Sequence, residues 1–245
     1  DPGTLKAAVQ TVLSRSLDHL VLAPRFTIGR WIEILFTSYF LVAFLLYYRP
    51  WAAQNPRSRA YIGIGAFNLL RRDVYEAVGT HQKIAFEIVD DMELGKLVKR
   101  NSFRQMVMIG HEFISVRWVQ GFRGVMNGLM KNAFAGLGYS LARLVLSTVI
   151  TLAVNMMPFI LVFSKEDLVA GVNRVSLVII FLIYLAGIRY NSYSVVSFPM
   201  HAISSLLVVC IVWRSAVSIL KSGGVTWRDT FYNLKALKKR HSPLC

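Results

Sequence analysis

Three carboxylates crowd one short segment of the chain, at Asp90, Asp91 and Glu93. A carboxylate can act as a general base when burial or a like-charged neighbour raises its pKa, and adjacent aspartates supply such a neighbour. The same spacing also fits a purely structural arrangement, in which Asp90 caps a helix and Glu93 completes a capping box. The residues alone leave both interpretations open.

A glycine-containing segment, Gly63-Ile64-Gly65-Ala66-Phe67-Asn68, lies about 25 residues earlier in the chain. Glycine lets the backbone come close either to a ligand or to a packed neighbour. The segment does not match the glycine-rich patterns that bind phosphates, GxGxxG and GxxxxGK[ST]. Tight packing and ligand contact are therefore both possible functions of these glycines.

The pair Arg117-Trp118 has two possible functions. Arginine can contact a diphosphate while tryptophan packs beside an acceptor molecule. Alternatively, the two side chains anchor the chain at a membrane surface, where both residue types are common.

Several other chemistries have no support in the sequence. The five histidines show no HExxH-like spacing, and no GxSxG motif of a serine hydrolase occurs. Only Cys210 and Cys245 are present, which excludes a disulfide scaffold and a zinc site built from cysteines.

The composition indicates a membrane protein. The 245 residues carry a net charge of +15, and 55% of them are hydrophobic while 17% are charged. Ordinary soluble domains are about 45–50% apolar and about 25% charged. The high apolar fraction excludes intrinsic disorder, and long apolar runs argue against a nucleic-acid-binding domain. Excess lysine and arginine beside apolar segments favours contact with anionic lipids.

The charged residues divide the chain into two parts. Residues 1–142 hold 17 Lys/Arg and 10 Asp/Glu, whereas residues 143–245 hold 11 and 3. The first part is predicted to be a water-facing, mixed α/β region. Strand-like stretches broken by glycine are expected over 60–70, and helices over 71–79 and 91–100, the latter with Met92, Leu94, Leu97 and Val98 facing a core.

The second part is predicted to cross a membrane. Leu144–Phe163 is 20 residues without a charge, or about 30 Å of helix, which matches the hydrocarbon thickness. Pro158 should kink this helix, and Asn155 should face protein rather than lipid. Val175–Ile188 has only 14 apolar residues, so it spans only if flanking arginines snorkel or the helix continues towards Val196, and Met200–Leu220 is a third candidate.

Two further helices are expected to lie at or near the membrane surface. Ile34–Tyr48 has only 15 apolar residues, so it is predicted to be buried or interfacial. Residues 117–142 place Arg117, Arg123 and Lys131 on one face, opposite aromatic and methionine side chains, as in an amphipathic interfacial helix. The predicted fold is thus α/β, followed by two to three transmembrane helices and an interfacial helix.

Taken in order, these segments resemble the membrane-bound family 2 glycosyltransferases. Ala66–His81 is similar to that family's G-x-x-x-L-x-R-R-x-x-Y-E-x-x-G-G-H stretch, and Asp90–Leu94 to its E/D-D-x-x-L element. Arg117-Trp118 follows, and Gly223–Tyr232 resembles a W-R-G-x-x-Y tail. The chain departs from the pattern at three places: Asp90 replaces the commoner Glu, Ile114 stands where Gln or Arg is usual, and Asp229 replaces Gly.

The resemblance implies a GT-A fold and an inverting sugar transfer from a nucleotide diphosphate to an acceptor hydroxyl. Asp91 would be the general base, and Asp90 would tune or orient it. Substrate contacts would come from Gly65, Ala66, Phe67, Asn68, Arg117 and Trp118. A Mg²⁺ or Mn²⁺ ion would neutralise the leaving diphosphate, with its principal ligands outside this chain.

The same resemblance implies partners and a location. The partners would be a nucleotide-sugar donor, a lipid or cell-envelope glycan acceptor and anionic lipids, with no nucleic acid. The protein would sit in a membrane, the bacterial inner membrane by this resemblance, with its catalytic part in the cytoplasm.

The match covers only the later part of the family's architecture, so the chain is expected to be a fragment. The missing part is the nucleotide-binding half with its DxD motif. The expected divisions are 1–116 for the partial GT-A region, 117–142 for the interfacial helix, 143–220 for the spans and 221–245 for a basic cytoplasmic tail. The alternatives are a non-catalytic membrane scaffold or degenerate fragment and, with less support from the sequence, a small transporter subunit.

Overall fold

The computed structural model describes residues 2–85, 87, 89–128, 133–187, 195–227 and 230–241. These residues form a mixed α/β protein that divides into two compact units. The first unit comprises residues 2–27 and 40–118. The second comprises residues 28–39 and, within the described ranges, 119–241.

The first unit contains short strands and helices, with one long helix that it shares with the second unit. Its elements are α1 (Thr4–Ser14), β1 (His19–Ala23), β2 (Arg25–Phe26), the later part of α2 (Trp31–Tyr48), a 3₁₀ turn (Pro50–Ala52), β3 (Asn68–Leu70), α3 (Arg72–Ala77), a 3₁₀ turn (His81–Ile84), α4 (Asp90–Arg100), β4 (Gln105–Ile109) and β5 (Ser115–Val116).

A three-stranded sheet with β1 at its centre forms the core of this unit. β1 pairs antiparallel with β3, Leu20 opposite Leu69, and parallel with β4, Leu20 opposite Met106. The central strand reads His-Leu-Val-Leu-Ala and is buried on both faces, as expected for a strand covered on each side. Strands β2 and β5, which follow β1 and β4 in the chain, form a separate two-stranded parallel sheet.

The strand-like stretches expected over residues 60–70 are mostly wrong. Only Asn68–Leu70 pairs in a sheet. The preceding residues are irregular because their backbone packs against α4: a Cβ at Gly63 would overlap the Asp91 carbonyl, and one at Gly95 would overlap the Ile62 carbonyl. Glycine at both positions is what lets the loop and the helix come into backbone contact.

The helix predicted over residues 91–100 is confirmed as α4, which begins one residue earlier at Asp90. Met92, Leu94 and Val98 are buried, while Leu97 is partly buried. The acidic residues occupy the first turn and Lys99 and Arg100 the last turn. This distribution complements the helix dipole at both ends.

The second unit is built almost entirely from helices. Its elements are the start of α2, α5 (Gly121–Gly128), α6 (Ala133–Gly136), α7 (Leu141–Asn155), α8 (Met157–Leu161), α9 (Asp167–Gly187), a 3₁₀ segment (Val195–Met200), α10 (His201–Ser222), the hairpin strands β6 (Gly224–Trp227) and β7 (Thr230–Asn233), and α11 (Leu234–His241).

The amphipathic helix expected over residues 117–142 is shorter at both ends in the described residues. Helix α5 begins only at Gly121, whose φ of +61° is left-handed, and α6 is four residues long. Gly138 and Tyr139 also have positive φ values, 59° and 55°, and turn the chain before α7. These left-handed residues bound the helical stretch at its two ends, and residues 129–132, including Lys131, lie outside the described residues.

Among the described residues, four helices are long and apolar enough to cross a membrane: Trp31–Ala52, Leu141–Leu161, Asp167–Gly187 and Val195–Ser222. The expected break near Pro158 is confirmed, because α7 ends at Asn155 and a new helix starts at Met157. The second candidate gains length by starting at Asp167, and residues 188–194, over which it would continue towards Val196, lie outside the described residues.

A buried polar contact joins three of these helices. His201 of α10 donates through Nε2 to Oδ1 of Asn155 at 3.0 Å, and Tyr184 of α9 donates to its Nδ1 at 2.9 Å. Asn155 therefore faces protein, as predicted. Polar side chains within apolar helices commonly join neighbouring helices in this way.

Helix α2 has the length of a span, but the sheet restricts its path. Strand β1 precedes α2, whereas β3 and β4 follow it, and all three strands pair in one sheet. A helix that crossed the membrane once would place its two flanks on opposite sides. The pairing therefore excludes α2 as a complete crossing and agrees with the buried or interfacial position expected from its sequence.

Substituting Gly95 should destabilise the protein although it lies inside a helix. Helix propensity alone would favour alanine by about 1 kcal/mol. Because the added Cβ would meet the Ile62 backbone, we expect Gly95→Ala to lower the free energy of unfolding by about 1–3 kcal/mol. Thermal unfolding in detergent measures this. The matched control is Gly171→Ala in α9, which meets nothing within 4 Å and should not destabilise the protein.

Positions on either side of α2 should be accessible from the same side of the membrane. Ser14 and Arg57 are both exposed and flank α2. In a background with Cys210 and Cys245 replaced by serine, we expect Ser14→Cys and Arg57→Cys to react equally with a membrane-impermeant thiol reagent in oriented vesicles. Labelling of one position only from outside and the other only from inside would contradict the sheet pairing.

Candidate active site

The Asp91 carboxylate lies in the first turn of α4 and is half-buried. Its Oδ2 accepts a hydrogen bond from the Gly65 backbone N–H at 2.7 Å, and its Oδ1 accepts one from Met92 at 2.8 Å. Burial raises the pKa of Asp91, the charge of Asp90 adds to this, and the two N–H donors oppose it. A raised pKa in a partly accessible carboxylate is the property required of a general base.

Asp90 contacts the backbone of Asp91 and does not cap the helix. Its Oδ1 accepts a hydrogen bond from the Asp91 backbone N–H at 3.0 Å. The N-cap residue is Val89, and the Glu93 carboxylate accepts two hydrogen bonds from Lys96, at 2.7 and 2.8 Å. The capping box considered from the sequence is therefore wrong. Asp90 is left close to Asp91, where its charge acts on the neighbouring carboxylate.

The segment from Ile62 to Asn68, called the glycine loop below, is closed by its last residue. Asn68 donates through Nδ2 to the Ile64 carbonyl at 2.8 Å, and its Oδ1 accepts from the Ile64 N–H at 3.4 Å. The loop thereby presents the Gly65 N–H to Asp91. Gly63 packs its backbone on α4, and the Gly65 N–H contacts the Asp91 side chain, so both glycines bring the loop close to a packed neighbour. Contact of this loop with a ligand stays a prediction.

An open cavity of about 460 Å³ lies beside the glycine loop. Ala66 and Phe67 line it from the loop side. The remaining lining comes from the start of α1 and from the segment before and into β5: Pro2, Thr4, Leu5, Phe113, Ile114 and Ser115. The Thr4 hydroxyl donates to the Phe113 carbonyl at 3.2 Å and so ties these two segments together. The cavity offers a mixed polar and aromatic surface next to Gly65.

Arg117 and Trp118 directly follow β5 in the chain. The Trp118 ring packs on Phe26 and Phe40, with centroids 5.9 and 4.4 Å away. Phe40 begins an aromatic row that continues through Phe44 and Tyr48 to Tyr61, which directly precedes the glycine loop. Trp118 thus lies at one end of this row, and the glycine loop follows its other end.

Two residues that the sequence did not single out for this site lie directly beneath it. His19 and Gln105 are buried, with exposed fractions of 0% and 2%, and they are opposite each other on β1 and β4. His19 donates through Nε2 to Asn68 Oδ1 at 3.1 Å. The only sequence signal was a polar residue at the start of each of two apolar strands.

Burial lowers the pKa of His19 to about 4, although its hydrogen bond to Asn68 acts in the opposite direction. The imidazole is therefore neutral at physiological pH. A neutral imidazole has one donor and one acceptor nitrogen. Because Nε2 donates to Asn68, Nδ1 is left as the acceptor.

The described residues do not supply a metal site. Among them, no group of three or more histidine, cysteine, aspartate or glutamate side chains is placed to hold an ion. The resemblance places the principal ligands of the implied Mg²⁺ or Mn²⁺ outside this chain, so that ion stays a prediction.

Comparisons with protein-family models, with curated proteins and with solved structures find no match for this chain. The fold and site define a mixed α/β protein with helices apolar enough to cross a membrane, a half-buried carboxylate held by a backbone N–H, and an open cavity lined by the next residues of the same loop. The resemblance to family 2 glycosyltransferases rests on the sequence motifs.

The buried His19 should make the stability of the first unit depend on pH. Its folded pKa is about 4 and its ordinary value is 6.5, so between these values only the unfolded chain is protonated. Stability is therefore complete above pH 6.5 and falls with decreasing pH, by at most about 1.4 kcal/mol per unit. Hydrogen exchange of β1 amides at pH 5 and 7, corrected for intrinsic rates, measures this. The difference should shrink in His19→Asn and persist in His81→Asn, which changes an exposed histidine.

Proposed function

We propose that this protein is a membrane-bound inverting glycosyltransferase. It moves a sugar from a nucleotide-diphosphate donor to a hydroxyl of a lipid or cell-envelope glycan. The observation that carries the proposal is the half-buried Asp91 carboxylate, which is held by the N–H of Gly65. Gly65 directly precedes Ala66, a residue of the cavity lining. The motif resemblance assigns the general base to this same residue.

In the proposed reaction, Asp91 removes the proton of the acceptor hydroxyl. The acceptor oxygen attacks C1 of the donor sugar from the face opposite the diphosphate, and a new glycosidic bond forms as the bond to the diphosphate breaks. The proton ends on the Asp91 carboxylate, and the electron pair of the broken bond leaves with the nucleoside diphosphate. The sugar is transferred with inversion at C1.

The surrounding residues have supporting functions in this proposal. The Gly65 N–H holds one oxygen of Asp91, and the negative charge of Asp90 favours proton uptake by its neighbour. Ala66 and Phe67 contact the substrate in the cavity, and Asn68 keeps the loop in shape. Arg117 offsets the charge of the leaving diphosphate, and Trp118 packs beside the acceptor.

The membrane location of the proposal is supported by the apolar helices and by the excess of basic residues. Helices from Leu141 to Leu161, Asp167 to Gly187 and Val195 to Ser222 have the length and composition of spans. The chain has 28 Lys and Arg against 13 Asp and Glu, which suits a membrane with anionic lipids. A lipid acceptor would then reach Asp91 from the membrane surface. The bacterial inner membrane and a cytoplasmic catalytic part complete the proposal.

Neutralising Asp91 should abolish sugar transfer without unfolding the protein. General-base catalysis contributes about 10²- to 10⁴-fold to a rate. We expect Asp91→Asn in the intact protein to lower transfer by that factor, measured with a panel of radiolabelled nucleotide sugars and membrane lipid extract. The matched control, Asp73→Asn, changes an exposed carboxylate that pairs with Arg71 and should retain activity.

The same assay separates the proposal from its alternatives. A folded Asp91→Asn protein that transfers sugar at the wild-type rate would overturn the assignment of the base. Absence of transfer by the wild-type protein with every nucleotide sugar tested would favour a non-catalytic membrane scaffold.

A further inference from the structure

The side chain of Gln105 pairs with the glycine loop as a neighbouring strand would. Its Oε1 accepts a hydrogen bond from the Ile62 N–H at 2.9 Å, and its Nε2 donates to the Ile62 carbonyl at 2.9 Å. One side-chain amide therefore satisfies both backbone groups of a residue that belongs to no strand. A buried backbone left without such partners would cost free energy.

The same amide also reaches helix α4 and strand β1. Gln105 Nε2 lies 3.1 Å from the Gly95 carbonyl and 2.7 Å from His19 Nδ1, so its two hydrogens are shared among three acceptors. The Gly95 carbonyl is open to this contact because the helix has no side chain there. Gln105 is thus the point at which the sheet, the loop and the helix are joined by hydrogen bonds.

These hydrogen bonds form a closed chain of contacts that starts and ends on α4, called the circuit below. From Gly95 the hydrogen bonds run through Gln105 to His19, and from His19 to Asn68. Asn68 holds Ile64 through both its amide groups, and the next residue, Gly65, donates to Asp91. Asp91 and Gly95 are four residues apart, one turn of the same helix.

We propose that Gln105 and His19 are positioning residues for Asp91, which act by fixing the Gly65 N–H against its carboxylate. The inference rests on the proposed function only for what Asp91 does. The positioning itself concerns the proton affinity of that carboxylate and can be measured without any sugar transfer.

The polarity of the circuit supports this assignment. Apolar residues could fill the same buried volume, and replacing a satisfied polar pair by apolar groups is often close to neutral in stability. The polar pair is instead connected, bond by bond, to one backbone N–H at the site. Fully satisfied buried networks specify one arrangement of the groups they join, and here the group specified is the donor to Asp91.

The direction of the effect follows from the charges. The Gly65 N–H stabilises the ionised form of Asp91 and so lowers its pKa, against the dominant effect of burial. If the circuit is cut and the glycine loop moves, this donor is lost or weakened. The pKa of Asp91 then rises further, and the carboxylate stays protonated up to a higher pH.

The test is carbodiimide modification of Asp91 with glycine ethyl ester, followed by peptide mass spectrometry across a range of pH in the intact protein. The carbodiimide reacts with the protonated carboxyl, so the midpoint of the pH dependence reports its pKa. We expect Gln105→Leu to move this midpoint to higher pH. The matched control, Gln10→Leu, makes the same change at an exposed position of α1 and should leave the midpoint unchanged.

A milder variant, His19→Asn, tests the same inference if Gln105→Leu does not fold. In His19→Asn the shorter amide keeps an acceptor for Gln105 but no longer reaches Asn68, and we expect a shift in the same direction. Thermal unfolding shows whether the two variants fold. If both fold and keep the wild-type midpoint, the inference is overturned, because a purely structural function would not require a shift.

Sugar transfer provides a separate readout. Where the protein transfers sugar, Gln105→Leu should lower the rate about 10- to 100-fold, as displacement of a reacting group does. It should also move the acidic limb of the pH–rate profile to higher pH. A shifted carbodiimide midpoint in a protein whose activity does not depend on Asp91 would support the positioning and contradict the proposed function. An unshifted midpoint in an active enzyme that requires Asp91 would support the proposed function and contradict the positioning.

Discussion

The first unit depends on one close contact between two pieces of backbone, the glycine loop and helix α4. Gly63 lies on the Asp91 carbonyl and Gly95 lies on the Ile62 carbonyl, so neither position has room for a side chain. Because the two backbones come this close, single side chains can connect them by hydrogen bonds. The Gly65 N–H reaches Asp91, and the Gln105 amide reaches both Ile62 and Gly95. The candidate site is a product of this contact.

Features with a local cause could be predicted from the sequence. The periodicity of Met92, Leu94 and Val98 identified α4 and its buried face. The length of the apolar runs identified three helices of the second unit, and Pro158 marked the break after Asn155. The carboxylates at the start of α4 were recognised as candidates for a base, because their spacing is visible in the chain itself.

Features that depend on distant partners could not be predicted. Gln105 contacts Ile62 and His19 across 43 and 86 residues, and nothing near Gln105 in the chain indicates either partner. The polar pattern of residues 117–142 suited one long helix, but backbone with positive φ at Gly121 and at Gly138 and Tyr139 shortens the helical stretch at both ends. The capping box failed for a similar reason, since Glu93 has Lys96 available as a closer partner of opposite charge.

The strand order of the first unit also bears on how the protein is made. The segment Trp31–Tyr48 leaves the ribosome before Asn68–Leu70 and Gln105–Ile109 have been synthesised. The insertion machinery therefore meets a helix of mean hydropathy 1.6 at a time when the sheet that forbids its crossing does not yet exist. Whether this helix is translocated must be decided by its own ends, where Glu33 and Arg49 flank the apolar run. The sheet, once formed, holds both ends of this segment on one side.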